Sequence, residues 1–142
     1  MNEDITLLKN VFDSSKRTST MLGAILAHVE NKSLRTTIIS QINKYDDINR
    51  KAGEEILSLG MKPKSGIAMR DKISVWGKNL SIGINPSLSH IAEIISKDAN
   101  TSTTEINRTM NHCINSSPKA YNLARMLVNA DNASAENIKN YL

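Results

Sequence analysis

Apolar side chains recur every three or four residues along four long segments of the chain, and this pattern constrains the fold more than any other feature. Such spacing places each set on one face of an α-helix, where it can be buried against other helices. The four stripes contain Leu8, Val11, Phe12, Leu22, Ile25, Leu26 and Val29; Leu34, Ile38, Ile48, Ala52, Ile56 and Leu59; Leu88, Ile91, Ile95, Ile106, Met110 and Cys113; and Ala120, Leu123, Leu127, Ile138 and Tyr141.

Glycine and proline mark the ends of these segments, because both residues interrupt helices. The chain has six glycines and three prolines, and Gly60 with Pro63 and Gly83 with Pro86 fall between apolar stripes. The predicted N-caps are Asn31 or Ser33, then Asn85 ahead of Pro86, then Ser117 ahead of Pro118. The predicted helices span residues 3–30, 32–60, 65–82, 86–114 and 118–141.

Short connections between long helices favour antiparallel neighbours. We therefore predict an all-α, antiparallel four-helix bundle whose third position is split into a short helix, 65–82, and a long one, 86–114. The 142 residues form one domain, 1–142, since a chain of this length buries roughly 68–70% of its unfolded surface. The short helix, which carries Trp76, breaks the regular course of the bundle and is the predicted mobile or contact element.

Charge and cysteine content are those of an ordinary intracellular protein. The net charge is +4, and the single cysteine, Cys113, excludes an intramolecular disulfide and favours a reducing compartment. The opening residues, MNEDITLLKN, lack the basic and apolar regions of a signal peptide. The longest apolar run, 21–27, is far shorter than the roughly 20 residues that cross a bilayer. We expect a cytoplasmic protein without a membrane span.

His90 and Glu93 have the spacing of a metal-binding pair, but their helical position argues against that role. Both lie roughly 140–160° from the centre of the apolar stripe of their helix, so they should face solvent. His28 and His112 fall in the predicted last turns of their helices, where a histidine complements the helix dipole. No Glu-x-x-His pair occurs, and we predict no metal site and no cofactor.

Polar side chains replace apolar ones at inward positions near the middle of each long helix. They are Ser15 and Ser19, Gln41 and Tyr45, Ser102, and Asp131 and Ser134, with Asp131 as the one predicted inward carboxylate. Because all lie at mid-helix, they should meet at one level of the bundle, where unpaired polar groups cost about 1–3 kcal/mol each.

Three interpretations of this level stay open. It is a hydrogen-bonded network, with trapped water, that fixes the helix register. Alternatively it is a pocket for a small polar ligand, lined by Gln41, Tyr45, Ser102 and Asp131. The third interpretation is the remnant of a metal centre around Asp131, although one carboxylate without an inward histidine binds a transition metal poorly.

A cluster of positive charge lies between the second and fourth predicted helices. Its cations are Lys62, Lys64, Arg70, Lys72 and Lys78. Such a segment can bind phosphates, nucleic acid or an anionic membrane surface. The cations are spread around three sides of the predicted helix, which favours a solvated helix, and we do not expect nucleic acid as a partner.

With these features in view, the chain resembles an uncharacterised family of small ferritin-like bundle proteins from Gram-positive anaerobes. The resemblance rests on LRTTIISQINKYDDINRKAGEEILSLGMKPK, on SLSHIAEII and on ARMLVNADNASAENIKNYL. It implies a ferritin-like fold. Functional ferritin-like proteins carry inward Glu and Glu-x-x-His ligands, which are missing here, so the resemblance does not imply oxidase or iron-storage activity.

These observations predict an intracellular binding or assembly module that forms homo-oligomers and has no catalytic residues. One alternative is a degenerate ferritin-like metal-carboxylate protein centred on Asp131. The other is an anionic-surface or nucleic-acid binder that uses the basic segment 62–78.

Overall fold

Four long α-helices make up the part of the chain that the computed structural model describes, residues 2–63 and 87–142. They are α1 (Asn2–Leu26), α2 (Lys32–Ser58), α3 (Leu88–His112) and α4 (Pro118–Ile138), and a 3-10 turn, Lys139–Tyr141, follows α4. These two ranges contain no strand, so the predicted all-helical class is confirmed for them. The predicted short helix, 65–82, with Trp76, lies outside the described residues.

α1 ends at Leu26 rather than at the predicted residue 30. The guanidinium of Arg35 donates to the carbonyl oxygens of Leu26 and Val29, both at 2.8 Å. These bonds satisfy acceptors that a helix end leaves free, so the chain can turn here. His28 therefore lies beyond the end of α1, and the prediction that it falls in the last turn is wrong. The predicted cap Asn31 is confirmed, since its side chain accepts a bond from Leu34 N at the start of α2.

α2 ends where Gly60 predicts that it should. Gly60 has a φ of +80°, a left-handed conformation that glycine adopts without a side-chain clash. Met61 N donates to Ile56 O, and Gly60 N donates to Leu57 O, which together form the Schellman pattern of a helix C-terminus.

Serine side chains cap the two helices of the second half. Ser87 accepts a bond from His90 N and caps α3, which begins at Leu88. The predicted cap Asn85 and the predicted first helical residue Pro86 lie outside the described residues. Ser117 accepts from Ala120 N at the start of α4, and Pro118 is its first residue, as predicted. Proline is suited to this position because its missing N–H would have no helical partner.

The apolar stripes form one core, as predicted, with one exception. Leu88, in the first turn of α3, is 37% exposed. α1 packs mainly against α2 and α3 mainly against α4, and contacts between α2 and α4 and between α1 and α3 join the two pairs. No helix among the described residues is both long enough and apolar enough to cross a bilayer.

Candidate functional site

A hydrogen-bonded cluster lies at the middle of the bundle, where α2, α3 and α4 meet. Tyr45 Oη donates to Asp131 Oδ1 at 2.6 Å and lies 3.2 Å from Ser134 Oγ. Thr103 Oγ1 donates to Asp131 Oδ2 at 3.5 Å. Tyr45, Asp131 and Ser134 are all buried, which confirms that they face inward. The cluster joins residues that lie far apart in the sequence and holds α2 against α4.

Burial sets the protonation of this cluster. It raises the pKa of the Asp131 carboxyl to about 6, while the hydrogen bond from Tyr45 opposes that rise. Burial, with the neighbouring Asp131, also raises the pKa of the Tyr45 phenol well above its ordinary range. The phenol therefore stays protonated and acts as the donor to the carboxylate.

The other predicted inward serines are placed differently. Ser102 is buried beside Asp131, and its Oγ has no well-formed hydrogen bond. Ser15 is buried and donates to Phe12 O, away from the cluster. Ser19 is only half-buried and bonds the exposed Asp46, so its predicted inward position is wrong.

Arg17 and Asp98, which the helical pattern was not expected to bury, lie inside the bundle with little exposed surface. Arg17 is 7% exposed, and its Nε lies 3.8 Å from Asp98 Oδ1. Its Nη1 lies 3.5 Å from Glu105 Oε2, and Thr18 donates to Asp98 at 2.9 Å. The prediction that Asp131 is the one inward carboxylate is therefore wrong, because Asp98 also faces inward.

A signal for this second group is present in the sequence. Asp98 lies three residues after Ile95 and four before Ser102, so it occupies a position of the α3 stripe itself. Arg17 has the same relation to Ser14 and Met21 in α1. The spacing places both side chains inward, even though charged residues are usually exposed.

A groove of about 620 Å³ runs along the surface between α2 and α4, beside the Tyr45 cluster. Its lining is mostly polar or small: Ser40, Gln41, Asn43, Lys44, Tyr45, Asp47, Asn129, Ala130, Ala133, Ser134 and Asn137. A volume of this size lies within the roughly 300–1,000 Å³ of small-molecule sites. The predicted ligand residues divide here: Gln41 and Tyr45 line the groove, whereas Ser102 and Asp131 do not.

Gln41 is the unusual member of the groove wall. It is 6% exposed, and neither its Nε2 nor its Oε1 has a hydrogen-bond partner. A buried polar atom without a partner costs about 1–3 kcal/mol, and few such atoms occur in folded proteins. Gln41 lies one helical turn before Tyr45, so the unpaired amide adjoins the hydrogen-bonded cluster.

The α2 side of the groove carries one cation, Lys44, and one anion, Asp47. Asp47 is paired with Arg50 at 2.8 Å and with Lys51 at 3.0 Å. The hydrogen bonds from Lys51 and Arg50 hold the pKa of the Asp47 carboxyl below its usual range. Lys44 is exposed and has no ion-pair partner among the described residues, so its charge is available to a ligand.

His90 and Glu93 face solvent, as the helical spacing predicts. The side chain of His90 is 52% exposed and that of Glu93 is 68% exposed, with Nδ1 and Oε2 4.0 Å apart. His28 and His112 are also exposed. Within residues 2–63 and 87–142, no three His, Cys, Asp or Glu side chains are grouped so that they could hold a metal ion.

The remaining predicted site residues belong to the basic segment. Lys62 is exposed at the end of the first described range. Lys64, Arg70, Lys72 and Lys78 lie outside the described residues, so the proposed anionic-surface site stays a prediction. Cys113 is buried, and burial raises the pKa of its thiol, which lowers the reactivity of a cysteine.

Comparison with known proteins places the chain in no family. No protein-family model matches it, and no curated protein or solved structure does so either. The ferritin-like resemblance therefore stays a prediction.

Proposed function

We propose that this chain is a non-catalytic binding module that holds a small polar ligand in the groove between α2 and α4. The observation that carries the proposal is the buried, unpaired carboxamide of Gln41 in the groove wall. Among the described residues that line the groove, only Gln41 has buried side-chain atoms without a hydrogen-bond partner, whereas Tyr45 and Ser134 are paired. The Gln41 amide pairs with nothing in the described protein, and a ligand would supply its partners.

A ligand would reach the Gln41 amide after a small rotation of the side chain. Both amide atoms are shielded from solvent in the present conformation. Glutamine has several rotatable side-chain bonds, and the unpaired amide loses no protein hydrogen bond when it turns. Burial of the Gln41 amide without a partner costs about 1–3 kcal/mol for each polar atom. Hydrogen bonds to a ligand would recover part of that free energy.

Tyr45 and Ser134 line the groove, and the cluster that they form with Asp131 stiffens its wall. The bonds from Tyr45 to Asp131 and Ser134 fasten α2 to α4 directly beside the lining residues. A site whose walls are already fixed loses less conformational entropy on binding than a mobile one. The cluster is thus assigned a positioning role, and contact with the ligand is assigned to Gln41 and the rim.

Replacement of Gln41 by methionine tests this function. Gln41→Met keeps the length of the side chain and removes the unpaired amide, so we expect the free energy of unfolding to rise by about 1–3 kcal/mol. We also expect it to abolish binding of any small polar compound that shifts the backbone NMR signals of Asn43, Ala133 or Asn137. Urea unfolding and a screen of polar compounds by NMR measure the two effects.

The exposed Asn107 of α3 provides a matched control, since Asn107→Met also exchanges an amide for a thioether. Its stability should change by less than about 0.5 kcal/mol, and ligand binding should be unaffected. A screen in which no compound shifts the groove signals, or in which Gln41→Met binds as well as the natural chain, contradicts the proposal.

We further propose that the helices form an antiparallel, ferritin-like bundle in a reducing, cytoplasmic setting. Asn49 bonds Phe12 O, and Asp46 bonds Ser19, so residue numbers fall along α2 as they rise along α1. The hydroxyl of Tyr121 donates to Met110 O between α3 and α4. These contacts support the antiparallel order, and the single free cysteine supports the setting.

Homo-oligomer formation is part of the same proposal. Ile114 is 70% exposed and Leu57 57% exposed, so both apolar side chains are available for contact with a second subunit. Light scattering of the purified protein tests the assembly, and a monomer at millimolar concentration contradicts it.

A further inference from the structure

We propose that the ligand of the groove is a small molecule that combines a primary or cyclic amide with one anionic group. This inference rests on the proposed binding function and names the chemistry that the site would recognise. Two features of the groove carry it, the amide of Gln41 and the charge of Lys44.

The amide of Gln41 selects for a partner with an adjacent donor and acceptor. Its Nε2 donates and its Oε1 accepts, and both are unpaired. A ligand that offers a C=O and an N–H on the same side satisfies both atoms at once, as in the paired contacts that glutamine makes with adenine. Primary and cyclic amides have this arrangement. The trans amide of a peptide places the two groups on opposite sides and satisfies only one atom.

The rim of the groove selects for negative charge. The carboxylate of Asp47 is paired with Lys51 and with Arg50, which also pairs with Glu54, so part of its own field is offset. Lys44 lines the groove one helical turn before Ile48 and three residues after Gln41, on the α2 wall. Residues three apart on a helix are neighbours on its surface, so one ligand can meet the Gln41 amide and the Lys44 ammonium together.

The lining also limits the ligand in size and polarity. The groove holds about 620 Å³, and its walls combine several Asn and Ser side chains with a larger apolar surface that includes Ala130 and Ala133. A single polar ring with one substituent fits such a space. An extended apolar ligand would leave these amides and hydroxyls without partners, at a cost for each one that is desolvated.

Three probe compounds separate the two features in the 142-residue chain. Uracil-6-carboxylate has the cyclic amide and the anion, uracil has only the cyclic amide, and benzoate has only the anion. We expect uracil-6-carboxylate to bind at least about tenfold more tightly than either of the other two, since one charged or paired hydrogen bond corresponds to about this factor. NMR titration followed at Asn43, Lys44 and Ala133 gives the dissociation constants.

Two variants assign each preference to its residue. Gln41→Met should weaken uracil-6-carboxylate and uracil by about tenfold and leave benzoate unchanged. Lys44→Met should weaken uracil-6-carboxylate and benzoate and leave uracil unchanged. Lys97→Met, an exposed lysine of α3 outside the groove, controls for the loss of one positive charge.

The outcomes distinguish the ligand class from the binding function. Equal affinities for the three probes, or affinities that neither variant changes, overturn the proposed class. If none of the probes binds while other polar compounds still shift the groove signals, the class is wrong and the binding function stands. If no compound of any kind shifts these signals, both proposals fall.

Discussion

Tyr45 and Asp131 form the shortest hydrogen bond between buried side chains in the described part of the chain. Their oxygen atoms lie 2.6 Å apart, and Asp131 is fully shielded from solvent. A buried carboxyl is costly to keep charged, and hydrogen bonds from neighbouring donors offset part of that cost. The pair contributes to positioning of α2 against α4 more than to stability, because a well-packed apolar pair of similar volume often serves equally well.

The two residues should therefore behave as a coupled unit. We expect Tyr45→Phe to lower the free energy of unfolding by about 1–3 kcal/mol, because it leaves a buried carboxyl without its closest donor. Asp131→Leu should be neutral or stabilising, since it removes the buried acid altogether. The double variant should lose less stability than the sum of the single changes. Urea unfolding of the four proteins measures the coupling, and strictly additive values contradict it.

At the scale of the elements, Gly53 of α2 lies directly against Phe12 of α1. A Cβ atom placed on Gly53 would lie 3.2 Å from Cε2 of Phe12, which is tighter than an ordinary contact. Gly23, in α1, is exposed, and a Cβ atom placed on it would have no neighbouring atom within 4 Å. The two glycines thus separate the effect of helix propensity from that of interhelix packing.

Alanine at these two positions should give different results. Gly23→Ala should raise the free energy of unfolding by about 0.5–1 kcal/mol, because alanine favours the helix and meets no neighbour. Gly53→Ala should gain nothing or lose stability, since Phe12 must move to make room. In a Phe12→Leu background Gly53→Ala should become favourable. Thermal unfolding measures all three, and an equal gain at both sites in the natural chain contradicts this view of the packing.

The helix ends show which local features can be read from sequence. Gly60 and Ser117 act through bonds to residues within one turn, so their roles are visible in a short window. The end of α1 depends on Arg35, which lies in the next helix and reaches back to Leu26. Such a contact depends on the packing of two helices, and a search for stop signals within α1 does not detect it.

At the scale of the whole molecule, polar side chains from all four helices meet near mid-height. Arg17 of α1 and Asp98 of α3 continue the level that Tyr45 and Asp131 form between α2 and α4. Spacing alone predicts Tyr45, Asp131 and Gln41 as inward residues. It does not predict that Arg17 pairs with a residue 88 positions away, because the burial of a charge depends on its partner. The groove likewise arises only from the packing of α2 on α4.

This level makes the stability of the whole molecule depend on pH. The pKa of Asp131 is raised to about 6 in the fold, against an ordinary value of 3.8. The folded protein therefore binds the proton more tightly than the unfolded chain, and stability from this group is highest below pH 4. It is lost as the pH rises through 6, by about 3 kcal/mol in total. Asp131→Asn keeps an acceptor for Tyr45 and removes the titration.

The difference in free energy of unfolding between the natural chain and Asp131→Asn isolates this effect. We expect the natural chain to lose stability relative to the variant between pH 4 and pH 7, as measured by urea unfolding. Asp47 provides a control of opposite sign, because Lys51 and Arg50 lower the pKa of its carboxyl. Its contribution should be present at neutral pH and be lost as the pH falls toward the acid range. A difference for Asp131→Asn that stays constant from pH 4 to pH 7 would mean that the carboxyl titrates normally, and that Tyr45 and its neighbours do not enclose it as the structure indicates.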